Sequence, residues 1–462
     1  MTITLTEQQQ AGLDKVAAWY ADVTDFDPGT YPYDQRPRPF RWFGYAGTGK
    51  TFTAARIPEA LGLSNVVFGT YTGKAASVLR KSLNRYGVTA PVTTIHSAIY
   101  MPTTSAAARE ALDAARDELA THRETLKDWE VLGGEGTVAG QDIATEVERT
   151  KGQISWLEAR LPELEANARR LRFEFNPMSD WATADLIILD EVSMVNAKVA
   201  ADIESYGVPI LVLGDPAQLP PVEGGGYYTD AEPDHLLTEI QRAALDSPVT
   251  MLATRVRQSK HAGLGMGQDD FEGPSIAAAE KADVVLVWTN KRRWAMVHAI
   301  RSKRFNLKPT SNGLRMPLVG DTIMVLTNNK DAAVFNGELF DVREVTADSV
   351  GYTLTAVSDA GVERPLLVFA EGFLGQEEQG RAKNSGVGMR GERVLATFGQ
   401  AITVHKAQGS EWPHVYVVNE TPNMIAMAAK REGHEAALSQ GRAWAYTAIT
   451  RASEKVTVTR PR

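Results

Sequence analysis

The 462-residue chain has no cysteine, which excludes disulfides and thiolate metal sites and fits a reducing interior. It also lacks any apolar run near the ~20 residues a membrane-spanning helix needs, so no membrane partner is expected. Met1-Thr2-Ile3-Thr4-Leu5 shows no basic segment followed by an apolar one, so no secretory signal is visible. The expected location is the cytoplasm, or the host cytoplasm if the gene is viral. An overall basic excess is missing too: the formal net charge of −8 disfavours a protein that coats nucleic acid without specificity. Acid is absent locally, because Val284 to Gly320 holds no Asp or Glu but holds Lys291, Arg292, Arg293, Arg301, Lys303, Arg304, Lys308 and Arg315. That stretch reads either as a solvated helix face or as a basic track for a phosphate backbone.

What is present is a soluble globular composition, 43% hydrophobic and 23% charged, in a chain long enough for two or three cores. The apolar run Phe40 to Phe43 leads into Gly44-Tyr45-Ala46-Gly47-Thr48-Gly49-Lys50-Thr51. Glycines at 44, 47 and 49 let the backbone curl so that successive N–H groups, backed by a helix N-terminus, point at phosphate oxygens. Lys50 then reaches the β- and γ-phosphates, and the Thr51 hydroxyl is placed to ligate Mg²⁺. The run Leu186-Ile187-Ile188-Leu189 ends in Asp190-Glu191, where one carboxylate serves the metal and its neighbour orients an attacking water. The chain is therefore expected to hydrolyse a nucleoside triphosphate, with ATP and Mg²⁺ as cofactors.

Further apolar runs at Asn65 to Phe68 and Pro209 to Leu213 join Leu186 to Leu189 as parallel strands of one sheet. Val284 to Trp288, Ala401 to Val404, Val415 to Val418 and Val456 to Val458 read as a second, so two α/β domains are expected. Two segments break the alternation. From Tyr100 to Asp180, Leu112, Leu119 and Leu126 recur every seven residues, and a second seam runs Val147, Thr150, Ile154, Leu157, Leu161, Leu164, Ala168, Leu171. This spacing predicts an antiparallel helical hairpin, with Pro162 kinking or restarting its second helix. About 314 to 394, short β-like runs separated by Asn336-Gly337 and Asp359-Ala360-Gly361 predict a small β-barrel. Gly375 to Gly391 reads as a mobile loop.

Beyond the two nucleotide motifs, further strings occur in order along nearly the whole chain: Leu5-Thr6-x-x-Gln9, Thr72-Gly73-Lys74-Ala75-Ala76, Thr94-Ile95-His96-Ser97 and Asp190-Glu191-Val192-Ser193-Met194. They continue with Gly214-Asp215-Pro216-Ala217-Gln218-Leu219-Pro220-Pro221-Val222, Arg242, Thr289-Asn290, Asn336-Gly337-Glu338, Thr403-Val404-His405-Lys406-Ala407-Gln408-Gly409-Ser410-Glu411 and Tyr446-Thr447-Ala448-Ile449-Thr450-Arg451-Ala452. Together they resemble a superfamily 1 DNA helicase of the RecD/Dda-like branch. The resemblance implies an α/β fold of two RecA-like P-loop domains, the first (1–100 and 181–232) carrying a helical insertion at 101–180. The second (233–313 and 395–462) would carry an SH3-like β-barrel at 314–394. It implies ATP between the two, bound by Gln9, Gly44, Ala46, Gly47, Thr48, Gly49, Lys50, Thr51 and Glu411, with Mg²⁺ on Thr51 and Asp190. Lys50, Glu191, Gln218, Arg242 and Arg451 take the catalytic roles, and Thr72, Thr94, His96, Trp288, Asn290, Thr403 and His405 the DNA contacts. The family places a strand-separating wedge where this chain has its helical hairpin.

The expected function is an ATP-dependent helicase moving 5′ to 3′ on single-stranded DNA and opening forked duplexes, as a monomer, beside replication or recombination proteins. The alternative is a translocase that strips protein from DNA without processive unwinding. A P-loop kinase or a non-catalytic DNA scaffold would leave Gln218, Arg242 and Arg451 without a purpose.

Overall fold

The structure, a computed structural model, describes residues 5–24, 38–104, 106–131, 136–138, 141–169, 171–220, 226–241, 246–261, 263–329, 331–358, 361–389 and 391–461. The chain forms two compact units, Tyr100–Asn176 and the remainder on either side of it.

The larger unit contains two parallel sheets. In the first, the spatial order is His235–Leu237, Phe40–Gly44, Ile210–Gly214, Leu186–Asp190, Val66–Thr70, Val92–Thr94. The central runs are continuously apolar because helices cover both faces of a parallel sheet, and Leu186, Ile187, Ile188 and Leu189 are all fully buried. The second sheet runs Phe271–Glu272, Ala452–Thr459, Trp412–Val417, Val284–Val287, Ala401–Thr403, again all parallel. Parallel strands align their carboxyl ends on one edge, so Gly44, Asp190, Gly214, Thr70 and Thr94 share a rim although up to 170 positions separate them.

A third, mostly antiparallel sheet is ordered Arg393–Val394, Glu363–Phe369, Gly351–Ser358, Leu339–Ala347, Thr322–Val325, Ala396–Phe398. Its two outermost strands are separated in the chain only by Leu395, so the six strands must curl until the edges meet; a flat sheet of that width would span roughly 24 Å. The segment expected as a mobile loop is different: Gln376–Asn384 is a helix. Glu377 and Glu378 occupy its first turn, Arg381 and Lys383 its last, which suits the helix dipole, and buried Ala382 fastens it.

The smaller unit holds the helices Ala106–Val131 and Ile143–Arg169. Ion pairs Arg116–Glu165 and Arg123–Glu158, both at 2.7 Å, advance on one helix as they retreat on the other, which makes the pair antiparallel. Ala115, Leu119 and Leu157 form its core, with Ile154, Leu161 and Leu164 against it. The second helix runs unbroken through Pro162, contrary to the expected restart. The two ion pairs and the leucines flank the proline on both sides and hold the helix across the missing hydrogen bond. Tyr100–Thr104 and Leu171–Phe175 pair as an antiparallel ribbon, so Leu171 belongs to a strand and not to the helical seam.

Half of the bases in the acid-free stretch are paired with acids from elsewhere. Arg292 pairs with Glu420, Lys303 and Arg304 with Glu280, and Arg301 with Asp321 at 2.8 Å. Arg301 and Asp321 have 0% side-chain exposure, and the guanidinium also donates to the carbonyls of Leu314 and Met316. Asp321→Ala leaves that guanidinium buried without its anion. The expected cost is about 3–5 kcal/mol in denaturant unfolding, and a loss below about 1 kcal/mol would show that the pair does not hold this region.

Candidate functional site

Phe40–Gly44 delivers the glycine-rich loop to the rim of the first sheet, and the helix Lys50–Ala54 follows it. Gly47 and Gly49 have φ of 78° and 83°, the left-handed region that side chains resist. Gly44 is required by space: a Cβ there would lie 2.6 Å from Thr48 Oγ1. The loop is buttressed from outside itself. Gln9, 1% exposed, donates from Nε2 to the Thr48 carbonyl at 3.2 Å and accepts from the Thr6 N–H at 3.1 Å. Gln241 N–H donates to the Gly47 carbonyl at 2.9 Å. Lys50 Nζ donates to the carbonyls of Gly44 and Tyr45 at 2.7 and 3.1 Å.

Asp190 and Glu191 stand on the same rim. Glu191 has φ of 56°, an uncommon conformation for a non-glycine residue, stabilised by its N–H donating to Asp190 Oδ1 at 2.8 Å. Burial, and after it the Glu191 carboxylate, push Asp190 up to about 6, while Lys50 acts in the opposite direction. Burial likewise raises Asp215, against the pull of Lys50. Three carboxylates around one ammonium leave an excess of hard oxygen donors, which fits a Mg²⁺ ion. Among the described residues no group of three or more His, Cys, Asp or Glu is arranged to hold a metal by itself.

The second sheet supplies the opposite wall. Tyr446, on the helix His434–Ile449, donates its hydroxyl proton to Asp215 Oδ2 at 2.6 Å and accepts from the Ala46 N–H of the glycine-rich loop at 2.8 Å. Burial, then Asp215, raises the phenol far above its ordinary value, so it keeps its proton. Thr447 Oγ1 accepts from the Leu219 N–H at 2.9 Å, and Gln408 Nε2 donates to the Leu219 carbonyl at 2.9 Å. Gln218, 8% exposed, lies between Glu191 and Arg451. With its nitrogen toward Glu191 it donates to Oε2 at 3.1 Å and accepts from Arg451 Nη2 at 3.3 Å. This amide orientation is assigned because it satisfies both ends. Arg451, at the amino end of Ala452–Thr459 and 6% exposed, is steadied by the carbonyls of Thr447 and Ser410 at 3.2 Å each. Glu411 is the exposed residue after Ser410. Arg242 lies outside the described residues.

The expected strand contacts fall into two groups. Thr72 caps the helix Gly73–Arg85, accepting from the Ala75 N–H, and Thr94 Oγ1 bonds to Ser97 Oγ at 2.7 Å. His96 stacks edge-on against Tyr71, ring centroids 5.2 Å apart. Thr403 and His405 stand at the carboxyl end of Ala401–Thr403. Burial lowers both histidines, so they are neutral near pH 7. Gly409, φ 72°, brings this second group to the first: a Cβ on it would lie 3.2 Å from Thr72 Oγ1. Trp288 and Asn290 sit past the end of Val284–Val287, with the Trp288 N–H on Glu420 Oε2 at 3.0 Å and Asn290 exposed.

Tyr446 and Gln241 were not singled out from sequence. Tyr446 lies inside the 446–452 string but offers no chemistry until Asp215 and Ala46 are its neighbours. Gln241 precedes Arg242 and binds the loop through its backbone, which no side-chain pattern records.

The family model described as the AAA domain matches residues 38–270, and that of the UvrD-like helicase C-terminal domain matches residues 398–459. The ATP-dependent RecD2 DNA helicase of Deinococcus radiodurans is 28% identical over 297 residues, 59% of this chain and 36% of that protein. The match thus spans little more than a third of that curated relative. The Pif1 helicase from Candida albicans aligns with 99% of this chain and 94% of its own at 15% identity, TM-score 0.46. The Pif1 helicase from Bacteroides in complex with ADP-AlF3 and ssDNA aligns over 99% and 92% at 15% identity, TM-score 0.48.

The raised Asp190 carries a stability signature. Folded, it holds its proton up to about pH 6; unfolded, it releases it near its ordinary 3.8. The folded state therefore binds more protons across that window, and unfolding free energy falls as pH rises through it, by roughly 2–3 kcal/mol for a shift of this size. In Mg²⁺-free buffer Asp190→Asn should remove most of that fall and be more stable than wild type at neutral pH. Parallel pH profiles for the two proteins in denaturant unfolding would refute this assignment.

Proposed function

The chain belongs to the AAA domain family, and on that premise we propose that it is a superfamily 1 helicase of the RecD-like branch, an ATP-driven motor moving 5′ to 3′ on single-stranded DNA and opening forked duplexes. The observation that carries this reading is the bonded series Glu191, Gln218, Arg451, which joins the acidic rim of the first sheet to a guanidinium from the second.

In this reading ATP lies with its phosphates on the loop Gly44 to Thr51 and Lys50 against the β- and γ-phosphates, while Gln9 and Glu411 contact the base and ribose. Thr51 and Asp190 would hold Mg²⁺, which when bound would neutralise phosphate charge. Glu191 orients the attacking water. Gln218 touches both Glu191 and Arg451, so its amide registers the γ-phosphate and relays it to the far wall. Arg451, with Arg242, stabilises charge on the transferred phosphoryl group. Hydrolysis weakens what the guanidinium grips, so the two sheets part and close once per turnover.

The strand crosses Thr72, Thr94 and His96 on the first sheet and Trp288, Asn290, Thr403 and His405 on the second. Small hydroxyls and neutral imidazoles grip without the electrostatic cost of release that charged groups impose. We assign 1–100 with 181–232 and 233–313 with 395–462 as the two RecA-like domains, and 314–394, with its curled sheet, as an SH3-like insertion. The helical unit within 101–180 takes the position of the strand-separating wedge. The protein acts as a cytoplasmic monomer beside replication or recombination proteins.

Lys50→Ala should abolish ATP turnover, Glu191→Gln should retain bound ATP while nearly stopping hydrolysis, and Arg451→Ala should slow turnover about 10³-fold or more. A fork with a 5′ tail should be unwound and one with a 3′ tail left intact. Turnover indifferent to single-stranded DNA would rule out the motor. DNA-stimulated turnover without strand displacement on either fork would leave a translocase that remodels protein–DNA complexes.

A further inference from the structure

The helix Pro248–Gln258 opens on Ser247, whose hydroxyl accepts from the Thr250 N–H, and its buried stripe Val249, Leu252, Ala253 and Val256 packs into the core around the second sheet. Arg255 and Arg257 close its last turn, where the helix dipole favours cations. The two side chains are then used differently. Arg255 pairs with Asp270. Arg257 has neither a carboxylate at ion-pair distance nor a hydrogen-bond acceptor among the described residues, and its guanidinium carbon lies 3.6 Å from the centroid of the Tyr45 ring. Both side chains are half-buried. A cation against an aromatic face is attracted by the ring quadrupole, and more strongly where water is partly excluded.

Tyr45 is the second residue of the loop Gly44 to Thr51, so this contact joins the two parallel sheets at the loop itself. Its carbonyl accepts three bonds: from Lys50 Nζ at 3.1 Å, from the Thr48 hydroxyl at 2.8 Å and from the Thr48 N–H at 3.3 Å. Ring and carbonyl belong to one residue, so a ring held from outside the loop limits how far the carbonyl beneath the Lys50 ammonium can move. Ala46, the next residue, gives its N–H to Tyr446. The second sheet thus grips two consecutive loop residues, one through a guanidinium and one through a hydroxyl, and the charge of Arg257 reaches the Tyr446 phenol, opposing its rise. The two grips differ in one respect. A phosphate oxygen can displace the phenol from the Ala46 N–H, whereas no phosphate can replace a cation on the face of a ring.

We propose that Arg257 is a positioning residue for ATP turnover: stacked on Tyr45, it fixes the carbonyl that places the Lys50 ammonium, and it does so only while the two sheets are closed on each other. The proposal rests on the helicase reading for the identity of the nucleotide and for the opening motion. Arg257 is distinct from Arg451, whose guanidinium bonds to Gln218. It acts through a ring and touches no reacting atom.

The test is steady-state ATP turnover by the full chain with saturating oligothymidine, for Arg257→Ala, Tyr45→Leu, Tyr45→Phe and the double variant Arg257→Ala with Tyr45→Leu. Arg257→Ala and Tyr45→Leu should each lower kcat about 2- to 30-fold, the rate equivalent of one cation–π contact, while the KM for ATP stays within about twofold. The double variant should be no slower than the worse single, because both substitutions remove the same contact. Tyr45→Phe, which keeps the ring, should turn over like wild type. Thermal unfolding midpoints matching wild type tie the losses to the site; should Arg257→Ala be unstable, Tyr45→Leu against Tyr45→Phe still decides whether the ring carries the effect. Losses that multiply in the double variant overturn the proposal, since a guanidinium acting directly on phosphate would give that result. Wild-type turnover in Tyr45→Leu, or a loss confined to KM, overturns it as well. Wild-type protein that does not turn over ATP would instead overturn the helicase reading itself.

Discussion

The hydroxyl of Tyr446 bridges Asp215 and the N–H of Ala46, and the rest of the site depends on that bridge. It ties the glycine-rich loop of one sheet to a helix of the other through two short hydrogen bonds, one of them to a buried carboxylate. A bond to a charged group is worth about 1.5–3 kcal/mol. It sets the distance at which Thr447 meets Leu219, Gln408 meets the Leu219 carbonyl and Arg451 meets Gln218. Any ligand that draws on the Ala46 N–H competes with the phenol, so the nucleotide loop and the inter-sheet contact are one mechanical element.

Electrostatics organises the same region in two complementary ways. Around Lys50 the balance is acidic, with Asp190 and Asp215 raised by burial, a surplus that a divalent cation relieves. Along Asn290–Arg304 the balance is basic, yet Glu280, Asp321 and Glu420 arrive from other elements and neutralise half of the acid-free stretch. Of the eight bases in that stretch, Lys291, Arg293, Lys308 and Arg315 have no carboxylate at ion-pair distance among the described residues, and of these four only Arg293 is buried.

Much of the frame was legible in the chain. The runs at 186–189, 209–213 and 284–288 emerged as strands within a residue or two of expectation, since short apolar runs ending in polar turn chemistry have few other uses in an α/β protein. The helical seams at 112–119 and 154–164 were equally plain. The errors share a cause. Leu171 continued a helical spacing but pairs across to Thr104; Pro162 was expected to kink or restart its helix, which does not restart there and is braced by ion pairs to the other helix; Gly375 to Gly391 looked like a loop but holds a helix that buries Ala382. In each case a contact from a distant part of the chain overrode a local preference.

For this protein the sequence alone determined where the glycine-rich loop and the acidic strand end lie: the loop can be read because its conformation is local, and Asp190-Glu191 because a strand end is local. Tertiary structure decided which groups meet. That Tyr446 meets Ala46, that Gln218 separates Glu191 from Arg451, that Arg301 is neutralised while Arg293 is not, and that Phe335 stands over Gly73 are all pairings between residues dozens to hundreds of positions apart. Loop-closure entropy over such separations varies only slowly with chain length, so sequence spacing carries almost no information about them, and the packing of the sheets selects among them.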